Sequence, residues 1–121
     1  METIRDLTWM RQLVEGHAER FELRGYRVAL VTVPATAAHH GDRFRYRLLV
    51  FDPALGKPIL AIDLESDILG DYCLTLDFGG KRSVLDRFDD PPTLEDFRER
   101  AISAAEGALA AGAPEAPRTR G

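Results

Sequence analysis

The stretch from Arg43 to Phe88 constrains the fold more than any other, because apolar side chains recur there with the period of extended chain. Phe44, Tyr46, Leu48 and Val50 alternate with Arg45 and Arg47, and Tyr72, Leu74, Leu76 and Phe78 alternate with Cys73, Thr75 and Asp77. Successive side chains of a strand point to opposite faces, so each run offers one bulky face to a core. Pro58–Leu64 is a third such segment, and Lys81–Phe88 a weaker fourth. Between Phe51 and Ile59 the prolines and glycine of Asp52-Pro-Ala-Leu-Gly-Lys-Pro58 call for a turn. Gly79-Gly80 suits the positive φ of a two-residue hairpin, whose register sets Asp77 opposite Arg82. Connections this short make neighbouring strands antiparallel, since a parallel crossover needs about a dozen residues.

Upstream, Ile4, Leu7, Met10, Leu13, Val14, His17 and Phe21 fall at helical spacing, which predicts an amphipathic helix from Thr3 to about Arg20. Thr3 and Asp6 supply its start, and an acid near the first turn suits the helix dipole. Trp9 lies at the edge of that stripe. Gly25 closes this unit, and Tyr26–Val33 reads as a strand whose continuous apolar run from Val28 implies cover on both faces or a central place in the sheet. Pro34 stops it, and a loop runs to Arg43.

Downstream, Asp89-Asp-Pro-Pro92 breaks the chain and Thr93-Leu-Glu-Asp96 opens a helix with a capping Thr and acids in the first turn. Leu94, Phe97, Ala101, Ala104, Ala105, Ala108 and Leu109 form its narrow buried stripe, and Gly112 ends it. The prolines and charges of residues 113–121 read as a disordered tail. The fold class expected is α+β: an antiparallel four- to five-stranded meander flanked by an N-terminal and a C-terminal helix packed on one face, as one domain over residues 1–112.

At 121 residues the chain is long enough to bury roughly two-thirds of its unfolded surface. A net charge of −4 argues against a strong electrostatic footprint for nucleic acid or an anionic membrane, and leaves room for a local basic strip. Cys73 is the single cysteine, so no internal disulfide framework exists, which fits a reducing compartment. No apolar run approaches the ~20 residues of a membrane span, and residues 1–20 carry too many acids for a secretory signal. The location expected is cytoplasmic.

Three clusters hold candidate chemistry. In the loop, His39, His40 and Asp42 are residue types that ligate zinc, although adjacent histidines in extended chain diverge. Asp63, Glu65 and Asp67 are spaced by two and share a side of extended chain, with Asp77 available from the next strand. Clustered carboxylates hold Mg²⁺ or Mn²⁺, so Asp63 and Glu65 are the second candidate metal ligands. An Asp two residues before a Glu resembles metal-dependent nuclease sites in outline. The lysine those sites place near the Glu is absent, since Ser66 and Asp67 follow. The competing reading makes Asp63 the end of a strand and Glu65-Ser-Asp67 a solvated turn. In Phe78-Gly-Gly-Lys-Arg-Ser83, Lys81, Arg82 and Ser83 beside glycine amides are candidate phosphate ligands. The spacing of a P-loop is missing, and a hairpin with a solvated rim is the plainer reading.

No catalytic residue and no cofactor is assigned. Leu49, Phe51, Ile62 and Leu64 give the sheet a second apolar face, which implies a partner, and self-association through that face or an edge strand is expected. Small size, acidic charge and terminal helices around a sheet are similar in outline to bacterial type III secretion chaperones, a likeness that implies a partner-binding role. The function expected is a non-enzymatic protein-interaction module, homodimeric and of adaptor or small-chaperone type. A small-molecule or nucleotide-binding domain is the alternative, and a carboxylate-based metal hydrolase the third.

Overall fold

The structure, a computed structural model, describes residues 2–33, 44–66 and 70–111. Its elements are α1 (Thr8–Glu15), β1 (His17–Leu23), β2 (Tyr26–Thr32), β3 (Phe44–Phe51), β4 (Pro58–Ser66), β5 (Tyr72–Phe78), β6 (Lys81–Phe88) and α2 (Leu94–Ala111). The strands form one six-stranded sheet in chain order, every neighbour antiparallel. The meander is as expected, with one strand more than expected.

That strand comes out of the anticipated first helix, which is a correction. The helix stops at Glu15 and residues 17–23 turn extended. Gly16 is the reason: a Cβ there would sit 2.7 Å from the carbonyl oxygens of both Gln12 and Thr32, so only glycine lets the end of α1 approach β2 this closely. His17 and Phe21, four apart, satisfy helical spacing as well as strand spacing. Arg24 and Gly25, with φ of 52° and 84°, then form a two-residue turn that sets Leu23 opposite Tyr26. Gly79 and Gly80, with φ of 67° and 76°, do the same between β5 and β6, and Asp77 stands opposite Arg82 as the hairpin register requires.

Strand alternation separates two cores. One face carries Val28, Leu30, Leu48, Val50, Leu60, Ile62, Leu64 and Leu74, covered by Phe97, Ala101, Ala105 and Leu109 of α2. The alanines let the helix axis come close to β3 and β4, and Phe97 meets Tyr46 with ring centroids 5.3 Å apart. Thr93 caps α2 as expected: its Oγ1 accepts from the Asp96 amide at 3.1 Å. The other face carries Ala29, Val31, Leu49 and Ala61, covered by Ile4, Trp9 and Leu13. The two helices therefore lie on opposite faces of the sheet, not on one. Central strands with apolar residues on both sides need cover on both, and β4 is buried from Pro58 to Glu65.

The C-terminal helix ends at Ala111, and its expected stop Gly112, the tail 113–121 and the loop 34–43 lie outside the described residues. Among the described residues no helix is long and apolar enough to cross a membrane.

Candidate functional site

The second face is not uniformly apolar. Across β3 and β4 it carries Arg47 and Asp63, side chains that a sheet surface normally leaves in water and that here are 1% and 2% exposed. Burying a charge is tolerated only when it is paired and hydrogen-bonded. Arg47 donates from Nε to Asp63 Oδ1 at 2.8 Å and from Nη2 to Oδ2 at 3.3 Å. Its Nη1 meets Asp6 Oδ2 at 2.7 Å, Thr8 Oγ1 at 3.1 Å and Gln12 Oε1 at 2.9 Å. The guanidinium also lies 3.9 Å from the centroid of the Phe44 ring, a cation–π contact. That contact depends on a register shift between Phe44 and Tyr46. The extra residue moves Phe44 off the face it would share with Tyr46 and onto that of Arg47, correcting the simple alternation read from the sequence.

Asp6, Thr8 and Gln12 belong to the N-terminal segment and α1, so a single arginine grips the helix through its polar side. Asp6 ties the start of α1 by accepting from the Thr8 amide at 3.0 Å and from the Thr8 hydroxyl at 2.8 Å. Burial alone would raise the Asp6 carboxyl, but the Thr8 amide and the Arg47 charge outweigh it and hold it below the ordinary carboxylate value. For Asp63 the balance runs the other way. Burial pushes its carboxyl up despite the Arg47 charge. Desolvation opposes the charge on Arg47, and the two aspartates overcome it and keep the guanidinium firmly protonated. Gln12 Nε2 is the one buried side-chain polar atom among the described residues with no hydrogen-bond partner.

The helix is thus turned inside out relative to expectation. Gln12 is 1% exposed, while Leu7, Met10 and Val14 are 67%, 55% and 84% exposed. Of the anticipated stripe, Ile4 and Leu13 pack inward and Trp9 joins them, its ring 5.5 Å from that of Phe51 in edge-on geometry. The helical period was legible. The side it presents to the sheet was not, because an arginine in a strand alternation reads as solvent-facing until its partners are known.

Further along the same face, Arg82 pairs with Glu65, and Thr75 Oγ1 lies 3.5 Å from both Glu65 Oε2 and Arg82 Nη2. Asp77 stands opposite Arg82 in register, yet Arg82 reaches across to Glu65. Partial burial raises the Asp77 carboxyl, with the Arg47 charge working against that rise. Arg87 Nη1 lies 3.2 Å from Cys73 Sγ.

Asp63 and Glu65 do share a side, as their spacing implies, but not in a solvated turn: β4 continues to Ser66 and both are buried. The carboxylate of Asp63 is taken by Arg47 and that of Glu65 by Arg82. No group of three His, Cys, Asp or Glu side chains among the described residues could hold a metal ion. His39, His40 and Asp42 lie outside the described residues, as does Asp67. Lys81, Arg82 and Ser83 are exposed, and alternation sends Arg82 to the second face and Lys81 and Ser83 to the other. The three do not converge on one phosphate. Comparison with known protein families, with curated proteins and with solved structures finds no match to this chain.

Proposed function

We propose that this protein is a non-enzymatic interaction module that works as a homodimer, joined through the outward face of α1. The observation that carries this reading is the reversed helix: polar side chains are spent on Arg47, and Leu7, Met10 and Val14 are left in water. An amphipathic helix normally buries its apolar stripe. A contiguous exposed one marks a contact surface. The spacing of the stripe favours a second copy as the occupant. In an antiparallel pairing about a two-fold axis beside Met10, Leu7 of one copy meets Val14 of the other, and the two Met10 side chains meet at the axis. One patch then serves both subunits, the isologous arrangement of most homodimers.

Each such side chain contributes about 1.5–3 kcal/mol when fully buried. Three of them fall short of the ~800 Å² per partner of a stable interface, which places the dimer in the weak, concentration-dependent class. A cytoplasmic setting, and an adaptor role in which the dimer holds a further protein, complete the proposal.

Sedimentation velocity from micromolar to millimolar protein tests it. The expected result is a monomer–dimer equilibrium that Leu7→Glu and Val14→Glu each abolish with circular dichroism unchanged. A monomer throughout overturns it. A dimer indifferent to both substitutions also overturns it, and directs attention to edge strand β6, where Val84 and Leu85 are 52% and 42% exposed.

A further inference from the structure

We infer that the cleft between the end of α1 and the β1–β2–β3 corner of the second face binds a small anion with an apolar body, a carboxylate or a phosphate monoester. The cleft encloses about 460 Å³, within the range of small-molecule sites. Leu13, Ala29 and Phe51 line it, and Arg20 of β1 and Arg27 of β2 supply its charge. Arg20 stands opposite Ala29 and Arg27 opposite Glu22, so the two guanidiniums occupy diagonal positions on one face, within reach of a common ligand. Ala29 and Glu22 occupy the other diagonal of the same four positions.

Arg47, Arg82, Arg98 and Arg100 each hold a carboxylate, whereas Arg20 and Arg27 hold none among the described residues. A guanidinium is a rigid fork matched to carboxylate and phosphate oxygens, and two uncommitted ones above an apolar floor make an anion site with a hydrophobic end. Two acids also line the cleft, Glu22 and Asp52. Asp52 accepts from the Ala54 amide at 2.8 Å and is committed to its turn. Two cations against two acids leave no surplus to draw a polyanion, so the ligand carries one anionic group, with Phe51 and Leu13 receiving the remainder.

Trp9, the single tryptophan, stacks edge-on against Phe51 and reports occupancy by its fluorescence. The wild-type chain is titrated with benzoate, phenyl phosphate and inorganic phosphate, following Trp9 emission and backbone amide shifts. At least one aromatic anion is expected to bind saturably, moving the amides of Arg20, Arg27 and Phe51, with inorganic phosphate weaker by on the order of tenfold. Which aromatic anion binds tighter separates a carboxylate ligand from a phosphate ester. Arg20→Gln with Arg27→Gln is expected to weaken binding at least as much while the melting temperature holds. Should that pair disturb the fold, Arg20→Lys with Arg27→Lys, which keeps both charges and removes the forks, must weaken binding instead. Absence of saturable binding through millimolar ligand, inorganic phosphate binding as tightly as the aromatic anions, or binding indifferent to these substitutions overturns the inference.

Discussion

Arg47 and Asp63 stand opposite each other in β3 and β4 and share two hydrogen bonds in a site closed to water. Removing one member leaves the other charged and buried, at a cost of about 3–5 kcal/mol. Arg47→Met and Asp63→Leu are each expected to destabilise by that order in urea unfolding. The double variant replaces the pair by apolar volume and should cost clearly less than the sum. Additive losses would show that the two side chains do not act as a pair.

The depressed carboxyl of Asp6 makes the docking of α1 weaken in acid. A group whose folded value lies below its unfolded value contributes stability above the unfolded value, about 3.9 for aspartate, and loses it as pH falls through the folded one. Asp63, raised by burial, has the opposite sign: its share of stability declines as pH climbs from the unfolded to the folded value. Asp6→Asn isolates the first effect. Wild type should lose stability below about pH 4 relative to Asp6→Asn, so the two stability curves converge in acid. A constant offset between them at all pH would count against the contact with Arg47.

Thr93 caps α2 with a single hydrogen bond to the Asp96 amide. Thr93→Ala is expected to cost about 1 kcal/mol and lower the melting temperature by roughly 4 °C, and Thr93→Ser to restore most of it. Calorimetry on the three proteins decides this.

Two glycines should respond oppositely to alanine. At Gly107, within α2, a Cβ meets nothing within 4 Å, and Gly107→Ala should stabilise by about 0.5–1 kcal/mol. At Gly16 a Cβ would overlap two backbone carbonyl oxygens. Gly16→Ala must push α1 away from β2, and the Trp9 emission should shift red as the ring leaves Phe51. An unchanged spectrum and melting point would refute the close approach.

Local signals were legible where local rules decide. Gly79-Gly80 set the β5–β6 register, and Thr93 and Phe97 placed α2, because turn geometry and helix capping depend on a few adjacent residues. What was missed depends on distant partners. Gly16 ends α1 because of a carbonyl of β2, and the side of α1 that faces inward is chosen by Arg47, contributed by β3. The acids of β4 read as a solvated turn because neither Arg47 nor Arg82 adjoins them in sequence. Of the proposed cleft, Arg20 lay within an expected helix. Only the recognition of β1 brings it beside Arg27.

The order of the strands has a consequence for how the molecule assembles. Every pairing in the sheet joins sequence neighbours, so five successive hairpin closures can build it without a long search, a topology of low contact order that favours fast folding. The clasp on α1 spans a longer stretch of chain, since Thr8 and Arg47 are 39 residues apart, and the packing of Phe97 on Tyr46 is long-range too. As the chain emerges from the ribosome, the residues that grip Arg47 appear first and must wait for β3 and β4. Until then the helix has no anchor, its apolar stripe is free to engage whatever is near, and docking onto the finished sheet becomes a late step of folding.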